Sequence, residues 1–227
     1  MAHHHNRNCR SPGEQSPERA IVIIPDACLP GHYEGLAAAC RALGSEVVIP
    51  NNPSTRGPVG EATPPPGLYD DAANARPILE GLVREGKKVL IVARSYGAVV
   101  ASESEGFMYH STEKLAQCMY SGVPYSQGLR HAAMTNTTQS ARAFEERLTY
   151  AGYRGIPVTY MGTGADRTVP PALQERFIGV VEAEAGRAVD VVQYSVDHCP
   201  AVTGPDAMVD CVRRASGAEG HPNCTWI

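Results

Sequence analysis

Residues 89–102 read VLIVARSYGAVVAS, and how this run is parsed decides the fold. With the two lysines before it, the first half is KKVLIVA (87–93), short and β-branched, which is strand composition. The second half places Gly97, Ala98, Ala101 and Ser102 close together, the small residues that let a helix lie tightly on a sheet. A continuous apolar strand running directly into a helix belongs to a parallel sheet covered on both faces, where strands need no polar side. Working outward, the same grammar repeats. Upstream, AIVIIP (20–25) is a first apolar strand, and Tyr33, Leu36, Cys40 and Leu43 recur at intervals of three and four to give one helical face. Gly44 stands where a left-handed helix cap belongs, and EVVIP (46–50) follows as a second strand. Asp70 and Asp71 suit the positive end of a further helix whose Leu79, Leu82 and Val83 face the core; Pro77 should kink or restart it.

Downstream, CMYSGVPY (118–125) reads as another strand, and residues 126–155 as a small, lid-like helical excursion with Phe144 and Leu148 at helical spacing. IPVTYMG (156–162) and VDVVQY (189–194) are strands, separated by PPALQERFIGVVEAEAG (170–186), a helix opened by proline and closed by glycine. Residues 205–216 form the last helix. The passage NNPSTRGPVGEATPPPG (51–67) cannot hold regular structure. The expectation is an α/β three-layer sandwich with a mostly parallel central sheet, one domain over 20–216, a disordered tail over 1–19 and a second tail over 217–227.

Composition sets the outer bounds. A chain of 227 residues with 43% hydrophobic and 19% charged residues is globular and suits one domain. A net charge of -4 without a Lys/Arg cluster argues against nucleic acid as a partner. No apolar run reaches the roughly 18 residues of a membrane span. The first residues, MAHHHNRNCRSPGEQSPERA, lack the apolar stretch of an export signal, so a cytoplasmic location is expected. Seven cysteines, an odd number without C-x-x-C spacing, speak against both a disulfide framework and a zinc site. Cys40 and Cys211 fall on apolar helix faces, while a pairing of Cys199 with Cys211 or Cys224 stays open.

Ligands of parallel sheets gather at the carboxyl ends of the strands. Three chemically apt residues lie there. Ser95 follows the 87–93 strand, Asp166 follows the 156–162 strand in GTGADRTVP, and His198 follows the 189–194 strand in SVDHCP. A serine hydroxyl attacks well only when an imidazole takes its proton, and that imidazole needs a carboxylate to fix its tautomer. Each residue also has an ordinary use: Ser95 as a helix cap, Asp166 as a turn residue, His198 as a satisfied structural histidine. Asp197 is a poor partner for His198, since neighbouring side chains diverge. The order Ser, Asp, His favours the chemical reading.

Four segments carry a more specific resemblance: IIPDACLPGHYEGL, GKKVLIVARSYGAVVAS, TGADRTVPPALQERF and VDHCP. Together they resemble a compact α/β-hydrolase of the serine-esterase type common in fungi and bacteria. The resemblance implies Ser95 as nucleophile, Asp166 as acid, His198 as base, and the backbone N–H groups of Ala27 and Tyr96 as oxyanion hole. It implies a small-molecule ester, lactone or thioester substrate, with no cofactor and no metal. The short stretch 126–155, where many members insert a larger lid, predicts a reduced lid and an open, shallow site. Such a site suits a bulky substrate or one presented by a carrier or partner protein. The departures from the pattern are Ala93 for a glycine, Arg94 before the serine, and Asp26 where a glycine keeps the oxyanion loop open. Asp26, Arg94 and His32 are the candidate substrate contacts. Two alternatives stand beside hydrolysis: the same residues used for carbon–carbon cleavage, cyclisation or elimination, and a binding module without catalysis. The sequence does not specify an oligomeric state.

Overall fold

The structure, a computed structural model, describes residues 18–25, 30–55, 65–93, 107–109, 111–135, 138–140, 142–147 and 149–217. Strand β1 (Arg19–Ile24) is the centre of a parallel ladder with β2 (Glu46–Val48) on one side and β3 (Lys88–Ala93) on the other. Alternation along β1 assigns its two faces. Ile21 and Ile23 pack with Tyr33, Leu36, Ala37 and Cys40 of the first helical segment and with Met208 and Val212 near the C-terminus. Ala20 and Val22 point the other way, against Leu82 and Val89. Helical layers on both faces leave β1 without a solvent side beyond its exposed first residue, which is why its sequence is apolar from Ala20 to Ile24.

Helix α1 (Glu34–Ala42) follows a 3-10 turn at Pro30–Tyr33 and ends at Gly44, whose φ of 82° only glycine adopts freely. Leu43 departs from its expected place on the buried face: it lies in the cap turn and is half exposed. Helix α2 (Leu68–Arg84) starts with Asp70 accepting the Gly67 N–H at 2.7 Å. Asp71, expected to serve the same helix end by its charge, is buried and accepts both the N–H and hydroxyl of Ser54 at 2.9 and 2.6 Å. The helix runs through Pro77 without interruption, against the expected break, and Val83 faces solvent while Leu82 is buried.

The segment read as a strand over 118–125 is instead the junction of two helices. Helix α3 (Thr112–Cys118) is capped by Ser111, whose hydroxyl accepts the Lys114 N–H at 3.2 Å, and α4 (Tyr125–Ala133) starts after Pro124. Gly122 and Pro124 make the turn, and proline has no N–H for a sheet ladder. Leu115, Ala116, Met119 and Tyr120 sit inward at helical rather than alternating spacing. A side chain at Gly128 would stand 3.3 Å from the carbonyls of Ala116 and Tyr120, so glycine permits the two helices to approach. An unanticipated antiparallel pair, β4 (Phe107–Tyr109) with β5 (Thr138–Ser140), flanks this hairpin in sequence, followed by α5 (Arg142–Glu145) and a 3-10 turn at Gly152–Gly155. Leu148 lies outside the described residues.

A second parallel pair, β6 (Thr159–Thr163) with β7 (Asp190–Tyr194), encloses α6 (Pro171–Ala185), which ends at Gly186 with φ 63°. Short α7 (Pro200–Thr203) and α8 (Pro205–Ala215) complete the described chain. Cys40, Cys199 and Cys211 are buried free thiols, so Cys199 and Cys211 are not paired; Cys9, Cys28 and Cys224 lie outside the described residues. Burial pushes the Cys211 thiol up to about 11, the behaviour of a small hydrophobe. Among the described residues, no helix is long and apolar enough to cross a membrane.

Candidate active site

The loops after β6 and β7 are stitched together by backbone: the Gly164 N–H donates to the Tyr194 carbonyl at 2.8 Å and the Ala165 N–H to the Val196 carbonyl at 3.0 Å. This stitching brings Asp166 and His198 side by side. Asp166 Oδ2 lies 2.9 Å from His198 Nδ1, with both residues buried to 7% and 3% exposure. Thr163 Oγ1 donates to the same oxygen at 3.0 Å, and Oδ1 accepts the N–H groups of Thr168 and Val169, both at 2.8 Å. A buried carboxylate survives only when its lone pairs are satisfied, and this one has four donors around it.

Those donors settle the chemistry of the pair. Burial alone would raise the Asp166 carboxyl; the hydrogen bond and charge of His198, with the N–H groups of Val169 and Thr168, outweigh it and hold the group below its ordinary value. A carboxylate without a proton must accept from His198, so Nδ1 carries a hydrogen, and in a neutral imidazole the lone pair then falls on Nε2. Nε2 is then the atom able to act as a base. Burial, and after it the Asp166 charge, raises the phenol of Tyr160 on β6.

Three further residues hold the surrounding loops. Gln174 of α6 is buried; its amide donates to the carbonyls of Thr163 and Val169 at 3.0 and 2.7 Å, and its oxygen accepts the Thr163 N–H at 3.0 Å. It thus closes the loop bearing Asp166 at both ends. Asp197 points away from the imidazole, as its place beside His198 in the chain requires, and accepts the N–H groups of Gly122 and Cys199 at 2.7 and 2.9 Å and the hydroxyl of Thr203. Asn52 donates to the Pro25 carbonyl at 2.8 Å, fixing the carboxyl end of β1. The turn-forming run G-A-D-R-T-V signalled how Asp166 caps its own loop; nothing local signalled Gln174 or Asn52.

His32 lies on the turn after β1, its ring centroid 6.3 Å from that of Tyr120, and that turn packs against α7 just beyond His198. The site therefore draws on the carboxyl ends of β1, β6 and β7. Ser95, Tyr96 and Arg94, beyond the carboxyl end of β3, and Asp26 and Ala27, beyond that of β1, lie outside the described residues. Among the described residues no group of three or more His, Cys, Asp or Glu side chains is arranged to hold a metal ion.

Comparison with known proteins agrees with this frame. No family model matches the chain. It is 24% identical over 243 residues to the probable hydrolase R7 of a Phoma species, covering 87% of this chain and 98% of that protein. It is also 24% identical over 249 residues to the alpha/beta hydrolase nvfD of Aspergillus novofumigatus, covering 87% and 96%. Among solved structures, a pyrethroid hydrolase from Sphingobium faniae superposes with a TM-score of 0.64 at 16% identity over 88% of this chain and 97% of that one. A methylesterase from Arabidopsis gives 0.67 at 13% identity, over 88% and 99%. These structural likenesses concern the fold.

Proposed function

We propose that this chain, which belongs to the α/β-hydrolase superfamily, is a hydrolase that cleaves an ester, lactone or thioester through an acyl-enzyme on Ser95. The single observation that carries the reading is the buried Asp166–His198 pair at 2.9 Å, with the acid also held by Thr163, Thr168 and Val169. A structural histidine needs no buried carboxylate oriented by three further donors. The names of the relatives, two hydrolases and a methylesterase among them, support the same class.

In this mechanism the Ser95 hydroxyl attacks the substrate carbonyl while its proton passes to His198 Nε2. The resulting imidazolium is stabilised by Asp166, and the oxyanion by N–H groups of Ala27 and Tyr96. Collapse of the intermediate breaks the carbon–oxygen or carbon–sulfur bond, and the leaving group departs with the proton from Nε2. Water then attacks the acyl-enzyme as its proton passes to the same nitrogen, and the acid is released with Ser95 restored. No cofactor enters any step. The substrate is a small molecule, and Asp26, Arg94 and His32 are proposed to border it.

The test is a panel of p-nitrophenyl esters, aliphatic lactones and acyl thioesters offered to the wild type, Ser95→Ala and His198→Ala. Turnover of at least one class by the wild type, with loss of roughly a thousandfold or more in both variants, is expected. Full activity in Ser95→Ala would refute the acyl-enzyme.

A further inference from the structure

The mechanism leaves Asp197 unused, although it is among the most completely buried residues of the chain, at 1% exposure. Its carboxylate has no role in the Asp166–His198 pair. It reaches the Gly122 N–H at 2.7 Å across the longest sequence separation of its three partners; the other two, the Cys199 N–H at 2.9 Å and the Thr203 hydroxyl, lie just beyond His198. One oxygen therefore holds the segment running from the base into α7, and the other holds the turn between α3 and α4. That turn is itself bracketed: Tyr120 beside it is fully buried, its ring 5.6 Å from His131 of α4 and 6.3 Å from His32.

We propose that Asp197 is a positioning residue for His198, seating the segment that carries the imidazole on the α3–α4 turn through Gly122. The proposal rests on the reading of His198 as the catalytic base. Its consequence is that the helical hairpin, although it supplies no group to the pair, sets where the base stands. Gly122 makes the link testable from the far side. A methyl group there would lie 3.1 Å from Asp197 Oδ2 and 3.3 Å from its Cγ, tighter than ordinary packing, while the backbone at this position is outside the left-handed region. Gly122→Ala therefore pushes on the carboxylate without straining its own turn.

The experiment compares the wild type, Asp197→Asn, Gly122→Ala and His198→Ala with a fluorophosphonate probe and with p-nitrophenyl acetate. Whichever way the asparagine amide rotates, its NH2 faces an N–H that has lost its acceptor. The active fraction is taken from the final extent of labelling, so that unfolded molecules do not count, and the secondary structure of each variant is checked by circular dichroism. Displacement of a base on the ångström scale costs about ten- to a hundredfold. The expected result is a fall of that size in kcat and labelling rate per active site for both variants, with KM unchanged. An unchanged rate per active site in either folded variant overturns the proposal, because a merely structural residue would lower the active fraction alone. Failure of both variants to fold also overturns it and assigns Asp197 to the fold. If His198→Ala labels as fast as the wild type, the base reading itself fails, a result distinct from the others.

Discussion

Replacing Asp166 by asparagine separates the charge of this residue from its place in the fold. The asparagine oxygen can keep the two acceptor bonds from Thr168 and Val169, each 2.8 Å in the wild type. Its NH2 takes the position of Oδ2, 3.0 Å from Thr163 Oγ1 and 2.9 Å from His198 Nδ1. The threonine hydroxyl can turn to accept, and Nδ1 must accept as well. All four contacts survive with some polarity reversed, so the fold loses only the difference between charged and neutral hydrogen bonds, about 1–2 kcal/mol. The chemistry loses far more. With Nδ1 accepting, the ring hydrogen moves to Nε2, which can no longer take the Ser95 proton. A wrong tautomer in a triad lowers kcat by roughly 10⁴, about 5 kcal/mol of barrier at 1.36 kcal/mol per decade. The assay is kcat on any ester the wild type turns over, beside a urea unfolding curve. A folded Asp166→Asn enzyme with kcat within tenfold of the wild type would refute the assignment of Asp166 as the acid.

Three further outcomes follow from the same geometry. Gln174→Leu removes three buried hydrogen bonds from the loop of Asp166 and should destabilise the protein by about 3 kcal/mol in urea; Gln174→Glu should be worse at neutral pH, since it turns an oxygen towards two carbonyls, and a cost below about 0.5 kcal/mol for either would contradict the contacts described. Because the folded state holds the Asp166 carboxyl below its ordinary value of about 3.9, the unfolded chain takes up the proton first on acidification. The stability this group contributes is thus complete above its unfolded value and is lost as pH falls through the folded one, so the wild type should lose more stability in that window than Asp166→Asn; parallel curves of unfolding free energy against pH would count against it. Gly186→Ala meets open space but a φ of 63°, so it should cost about 1 kcal/mol of thermal or urea stability with activity unchanged, and no measurable loss would question the left-handed cap.

β1 (Arg19–Ile24) was legible because burial on both faces leaves the continuous apolar run AIVIIP, whereas β3 and β7 were legible from their β-branched residues although they alternate with exposed positions. Asp166 and His198 were legible because each follows such a run at its carboxyl end, and the structure brings these two together. The strand expected over 118–125 was a misreading of a different kind. Met119, Tyr120, Val123 and Tyr125 have strand composition, but burial follows the helical hairpin, and Gly122 with Pro124 marked the turn. Pro77 in α2 misled because local propensity is overridden when neighbouring turns of a helix are held by packing. Gln174 was not legible at all. Its three partners are backbone groups brought to it by the approach of α6 to the end of β6, and no spacing in the sequence encodes that approach.

The central claim is that Ser95 is a nucleophile activated by the buried Asp166–His198 pair. Intact mass after exposure to a fluorophosphonate, for the wild type beside Ser95→Ala and His198→Ala, tests it most directly. One adduct is expected on the wild type, none on Ser95→Ala, and labelling slowed by orders of magnitude in His198→Ala. A wild-type protein that stays unmodified, or a Ser95→Ala variant that still takes up the probe, would contradict it.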